Sequence, residues 1–429
     1  MYAEDPVAEA GAEKKGIRKI FKKLGPGLIT GASDDDPSGI ATYSQVGAHF
    51  GYSMLWTILL SYPLMAAIQQ ISALIGRVTG RGIAANMRKY YPRWISFIIV
   101  GLMITANIIN IGADIAAMGS SLKLLIGGPS LLYAALFSVV SILLQVFIPY
   151  TSYVRYLKWL TISLFAYIIT VFIVKVPWKI TLFNTFIPNF SFNPVYLTSL
   201  IAVLGTTISP YLFFWQASQE VEEIKTKVED EALKKAPEQA RGQISRIKVD
   251  TYVGMAFSNL VSYFIILASA VTLNAHHVTD IDTAAKAAEA LRPLAGEFSF
   301  LLFSAGIIGT GLLAIPVLAG SAAYAVGETF RWKVGLEQKP RRARNFYGVL
   351  AFSIILGLLI DFTPVNPIKA LFWSAVINGV TAAPVMVMMM LMSRNKKVMG
   401  DFTISRALKF MGWLSTLVML LASIGLFLT

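Results

Sequence analysis

The sequence predicts an all-α integral membrane protein of eleven transmembrane helices, arranged as a five-plus-five inverted repeat with broken helices one and six. Three observations carry this prediction. Of 429 residues, 55% are hydrophobic and only 14% charged, whereas soluble domains carry about 25% charged residues. Apolar runs near the length needed to cross a bilayer recur along the chain. Basic residues cluster in alternate connections between those runs, the pattern of a polytopic membrane protein.

Taken in order, the spans fall at 25–49, 53–75, 94–124, 129–149, 153–175, 197–222, 249–273, 296–327, 346–361, 367–392 and 406–428. Residues 1–24 are polar, lack the apolar core of a secretory signal, and read as a cytoplasmic N-terminal segment. The basic stretches are Lys14 to Lys23, Arg77 to Arg93, Arg155 with Lys158, Lys225 to Lys248, Arg331 to Arg344 and Arg394 to Lys409. Eleven spans place all of them on one side and leave isolated cations such as Lys123, Lys179, Lys286, Arg292 and Lys369 on the other. Basic connections stay in the cytoplasm. A cell-membrane protein with its N-terminus inside and C-terminus outside is therefore expected. Glu220 to Lys248 is expected as a solvated structural helix or linker, and Asp280 to Glu289 as a short external helix with an Asp cap.

Span one contains Gly25-Pro26-Gly27 and then Asp34-Asp35-Asp36-Pro37-Ser38-Gly39; span six contains Gly205-Thr206-Thr207-Ile208-Ser209-Pro210-Tyr211. Proline removes a helix donor and clashes with the preceding turn, so each span is expected to be two half-helices. Spans one and six are five apart, and five is odd. Residues 25–175 and 197–392 then form two repeats of opposite orientation, with 406–428 outside them. Gly/Pro-interrupted spans at matching positions point to a transporter's midplane site. A carboxylate inside an apolar span is costly and therefore expected to be functional, which singles out Asp36 as a cation ligand.

Other classes fit poorly. The net charge of +13 is spread over the connections between spans rather than over a nucleic-acid-binding face. There is no cysteine, and His49, His276 and His277 are too few and scattered for a histidine metal cluster. No Walker A motif is present, so this chain is not expected to use ATP. Intramembrane hydrolysis would need paired catalytic groups; Asp36 with Asp114 is the remote possibility, and no enzyme is expected.

Gly25-Pro26-Gly27, Asp36-Pro37-Ser38-Gly39, Phe50-Gly51-Tyr52, Leu55-Trp56 and Val78-Thr79-Gly80-Arg81 resemble the opening of the NRAMP divalent-metal transporter family. Leu204 to Pro210 resembles its sixth helix. The resemblance implies the LeuT-like fold shared with neurotransmitter-sodium symporters, and metal transport by alternating access. It also implies a ligand set that this chain alters. Typical members carry Asp-Pro-Gly-Asn in span one; Asp36 keeps the Asp, and Gly39 stands at the Asn. In span six, Thr206 stands at a ligating Ala, Ser209 at a ligating Met and Tyr211 at a proton-route His. In span three, Asp114 is kept and Ala117 stands at a Glu of that route. These losses resemble the NRAMP-related magnesium transporter branch.

The chemistry agrees. Thioether sulfur selects softer metals over Mg²⁺ and Ca²⁺, and Ser209 in its place leaves an all-oxygen shell. Mg²⁺ keeps several waters and takes one or two carboxylates. The expected metal residues are Asp36, Gly39, Thr206, Ser209 and Asp35, with Asp34, Asp114, Tyr211, Asn378 and Gln45 lining the approach or an outer shell. Plainer roles compete with these. Asp34 and Asp35 would equally suit a helix cap. Thr206, Thr207, Ser209 and Asn378 would equally make packing hydrogen bonds, Tyr211 would anchor or fill the cavity, and Met386 to Met392 would face lipid. The expected function is secondary transport of Mg²⁺ and also Mn²⁺, not coupled to protons, with proton-coupled Mn²⁺/Fe²⁺ transport as the alternative. No cofactor is expected, because the divalent ion is the cargo; the lipid bilayer is the other partner.

Overall fold

A computed structural model describes residues 30–31, 33–148, 160–227 and 229–428. The expected N-terminal segment, most of the first half of span one and the Arg155–Lys158 pair lie outside the described residues. The described residues are helical throughout, with no strand. The principal helices are α1 Pro37–Phe50, α2 Leu55–Thr79, α3 Arg93–Ile126, α4 Ser130–Phe147, α5 Phe165–Ile173, α6 Pro194–Thr207, α7 Pro210–Thr226, α8 Ala240–Thr272, α9 Ser299–Phe330, α10 Arg344–Ile360, α11 Pro367–Arg394 and α12 Arg406–Leu428. With α6 and α7 counted as one broken span, these are the eleven expected spans.

Both breaks follow one local rule. Asp36-Pro37 and Ser209-Pro210 each place proline at the first position of a second half-helix. The missing N–H is one that a helix start leaves unpaired in any case, and the preceding residue is driven to extended backbone. Asp36 (φ −73°, ψ 170°) and Ser209 (φ −83°, ψ 131°) both adopt it. In the first break, Thr30 and Gly31 are helical and Ser33 to Asp35 form a turn. In the second, only Ile208 and Ser209 leave the helix.

The basic connections meet one another on one face. Arg77 pairs with Asp230 at 2.9 Å, Lys234 Nζ donates to the carbonyls of Lys397 and Val398 at 3.2 Å, and Arg88 donates to Thr329 O. The opposite connections meet on the other face. Gln45 Nε2 donates to Thr279 O, Asn274 donates to Ala48 O, and Asn366 donates to Asp282 O at 2.7 Å. Among the described residues, the charge segregation read from sequence is therefore a spatial one.

Three expectations need correction here. Glu220 to Lys248 is solvated only in part: Lys225, Lys227, Glu229, Glu231, Lys234, Lys235 and Arg241 are exposed as expected, but Glu220 is fully buried and bonds Arg246, which also pairs with Glu223 at 2.9 Å. A buried carboxylate needs such a partner, and the pairing draws α8 out to begin at Ala240 rather than at 249. The external helix is Ala284–Ala288, capped by Thr283, whose hydroxyl accepts from Lys286 N, not by an aspartate. Met386, Met388, Met389, Met390 and Met392 are buried and do not face lipid; a Cβ on Gly412 of α12 would lie 2.5 Å from Met390 Sδ. Flexible thioethers fill the irregular seam between α11 and α12.

Candidate functional site

Asp36 is the N-cap of α1. Its Oδ1 accepts from Gly39 N at 2.7 Å, and its Oδ2 accepts from Asn110 Nδ2 of α3 at 2.9 Å. The expected capping role of Asp34 and Asp35 thus belongs to Asp36 instead. The reason is local: only the residue directly before Pro37 is placed to reach the N–H two residues into the helix.

Gly39 and Thr206 bring the two breaks together. A Cβ at position 39 would lie 3.0 Å from Thr206 Oγ1 and 3.5 Å from Asp36 Oδ1. Glycine lets α1 approach α6 closely and puts no side chain beside the buried carboxylate. Behind Thr206, α6 meets α11 backbone to backbone: a Cβ at Gly205 would lie 2.1 Å from Ala375 O and 2.5 Å from Gly379 N. Close helix approach through small residues is the usual membrane solution.

Ser209 does not cap α7. Its hydroxyl turns back and donates to Gly205 O at 2.8 Å or Thr206 O at 3.0 Å, the carbonyls released where α6 ends. Thr207 back-bonds to Val203 O and Leu204 O, the plainer of its expected roles. Tyr211 anchors the second break to the first by donating to Ser33 O at 3.3 Å, and its hydroxyl also lies within hydrogen-bonding reach of Asp36, so it borders the site as expected.

The remaining expected residues divide. Asp34 and Asp35 are buried but turn towards Ser258 and Ser262 of α8, away from α6. Asp114 is fully buried on α3, one turn beyond Asn110, facing the Ser38 backbone at the start of α1 and within electrostatic reach of Asp36. Asn378 is buried beside the Gly205–Gly379 crossing, and its Oδ1 has no partner. Gln45 does not line the site. Its amide accepts from Ile281 N and donates to Thr279 O, pinning the connection after α8 to α1. No group of three His, Cys, Asp or Glu side chains converges to chelate a metal among the described residues. An ion at Asp36 would therefore complete its shell with hydroxyls, carbonyls and water.

Asn110, Ser258, Ser262 and Tyr43 escaped the sequence reading. A signal for two of the helices was present. Asn107, Asn110 and Asp114 make one polar stripe along α3, and Ser258 and Ser262 repeat at helical spacing on α8. Nothing in the sequence says which helix such a stripe faces.

Two broken helices meeting at a buried carboxylate inside a polytopic bundle define a membrane transporter of the broken-helix class. The comparisons with known proteins agree. The Nramp profile, described as "Natural resistance-associated macrophage protein-like", matches residues 27–429. The chain belongs to the Nramp family, whose members are transporters rather than enzymes. It is 26% identical over 432 residues to the divalent metal cation transporter MntH of Mesorhizobium japonicum, covering 96% of this chain and 89% of that protein. Its structure is similar to the crystal structure of the manganese transporter of Eremococcus coleocola (TM-score 0.74, 18% identity, 95% of this chain and 87% of that one). It is also similar to an inward-facing structure of Mhp1 (TM-score 0.56, 13% identity, 94% and 90%).

Proposed function

We propose that this chain is a secondary transporter that passes Mg²⁺, and also Mn²⁺, across the cell membrane by alternating access, without obligatory proton coupling. The observation that carries the reading is the all-oxygen junction of Asp36, Gly39 and Thr206, with the Ser209 hydroxyl where the family resemblance places a thioether. Oxygen-only surroundings suit hard cations. Gly39 puts no side chain beside the carboxylate, which favours an ion that retains water. Tyr211, where the family resemblance places a histidine, offers a hydroxyl that donates to Ser33 O and no basic nitrogen to accept a proton. The meeting of the basic connections on one face supports a cytoplasmic N-terminus and an external C-terminus, and the matched proline starts of α1 and α7 support two repeats over residues 25–175 and 197–392.

The alternative, proton-coupled Mn²⁺ or Fe²⁺ transport, draws on one observation: Asp114 is buried, in no ion pair among the described residues, and near Asp36. Flux of Mg²⁺ and Mn²⁺ into proteoliposomes, with lumenal pH recorded together, decides between them. Mg²⁺ entry with an unchanged lumenal pH is the expected result. Mn²⁺ entry accompanied by stoichiometric acidification, with Mg²⁺ excluded, would replace this reading by the alternative.

A further inference from the structure

Three consecutive carboxylates occupy the first break, and they diverge. Asp36 faces α3 through Asn110, whereas Asp34 and Asp35 face α8. Ser258 Oγ lies 2.6 Å from Asp34 Oδ2 and 3.1 Å from Asp35 Oδ1. A serine hydroxyl has one proton, so it satisfies one of these oxygens and crowds the other. Ser262 repeats the arrangement, with its Oγ 3.3 Å from Asp35 Oδ1 and 3.0 Å from Ser258 O. The outer oxygens, Asp34 Oδ1 and Asp35 Oδ2, are buried with no partner. None of the ion pairs among the described residues includes either aspartate.

A separate side chain points to the same place. The Tyr43 hydroxyl of α1 is fully buried, faces Ser262 on one side and Thr206 on the other, and lies within electrostatic reach of both aspartates. The Tyr43 ring meets the other side of α1's start: its Cε2 would be 3.3 Å from a Cβ at position 39. Tyr43 therefore stands between the Asp36–Thr206 junction and the Asp34–Asp35 pair.

Buried charges are paired or hold cations, and here oxygen acceptors outnumber the protons available to them. We propose that Asp34 and Asp35, with Ser258 and Ser262, form a second cation site, distinct from Asp36, that takes a hard divalent ion such as Mg²⁺ or Mn²⁺. Two carboxylates match a double charge, and the absence of nitrogen or sulfur donors from the set matches a hard ion. The proposal rests on the reading of the chain as a divalent-cation carrier. It makes the first break a two-position path, with an ion moving past Tyr43 between the pair and Asp36.

The test is equilibrium Mn²⁺ binding to the purified full chain, paired with anomalous scattering from Mn²⁺-loaded crystals. The wild type should bind two equivalents, with one peak against Asp36 and one against Asp34, Asp35 and Ser258. Asp34→Asn with Asp35→Asn should lose the second equivalent and its peak and keep the first. Ser258→Ala with Ser262→Ala keeps every carboxylate and should weaken only the second equivalent, about tenfold or more; it decides the matter if the aspartate variant does not fold. A single equivalent at Asp36, unaffected by either pair of substitutions, overturns the second site and leaves the transport reading standing. A single equivalent at the aspartate pair supports the second site and overturns the role of Asp36. No Mn²⁺ bound at either place overturns both.

Discussion

Asn110 of α3 holds Asp36 Oδ2 at 2.9 Å while the backbone of Gly39 holds Oδ1 at 2.7 Å, so the carboxylate at the first break is fixed from two helices. The amide oxygen of Asn110 is buried and has no partner. It supplies, from α3, an amide oxygen close to the carboxylate where Gly39 supplies none.

Asp36→Ala should abolish Mg²⁺ and Mn²⁺ flux while the protein still folds, since a lost cap costs about 1 kcal/mol. Asp36→Asn should do the same with the cap retained, which separates charge from capping. Wild-type transport rates in monodisperse protein of either variant would refute the site assignment.

Asn110→Leu should lower apparent Mn²⁺ affinity by roughly tenfold or more, because a hydrogen bond to a charged group is worth about 1.5–3 kcal/mol. Asn110→Ser should fall between leucine and the parent. Equal affinity in all three proteins would show that Asn110 only packs. The readout is binding by titration, not flux alone.

Ser209→Met with Gly39→Asn and Thr206→Ala should shift selectivity from Mg²⁺ towards Mn²⁺ and Cd²⁺ by adding a soft sulfur and an amide oxygen. The structure adds a coupling. Gly39→Asn alone places its Cβ 3.0 Å from Thr206 Oγ1, and Thr206→Ala removes that hydroxyl. The two changes should therefore be non-additive in thermal stability, the pair being less damaging than the sum. Competition assays check selectivity; Mg²⁺ competing as well as in the parent would mean these positions do not set it.

Uptake should follow the membrane potential and ignore an imposed pH gradient. A divalent ion crossing 100 mV gains about 4.6 kcal/mol, from about 2.3 per charge, so accumulation needs no proton partner. Valinomycin-set potentials in proteoliposomes test this directly. A strong response to the pH gradient alone would make Asp114 the next residue to change.

Asp361 follows α10 as its C-terminal cap, and burial pushes its carboxyl up to about 7. In the unfolded chain the group titrates near about 4. The folded state holds the proton more tightly, so this contribution to stability is present in full below about 4 and lost as pH rises through about 7. Asp361→Asn should flatten the fall in melting temperature over that window. An unchanged pH dependence would show that some other group sets it.

Much of this protein is legible in its sequence because lipid leaves few choices. Apolar length, basic connections and Asp-Pro and Ser-Pro breaks are one-dimensional signals, and the bilayer requires each span to satisfy its own backbone. From them followed the eleven spans, the two breaks, and the segregation of basic connections onto one face. Among the described residues, span boundaries agree to a few residues except where a buried pair such as Glu220–Arg246 extends a helix; the expected starts of spans one and five lie outside the described residues. What the sequence could not decide is which way each polar side chain turns. Asp34, Asp35 and Asp36 are neighbours in the chain, yet Asp36 meets Asn110 while the other two meet Ser258 and Ser262. Outside the regular helix, backbone angles in the break aim successive side chains at different neighbours, and those neighbours lie on helices more than seventy and more than two hundred residues away. Gln45, expected near the site, instead faces the connection after α8 for the same reason. Composition and local pattern determined the spans and the breaks; the rotation and packing of α1, α3, α6 and α8 decided which oxygens share a site.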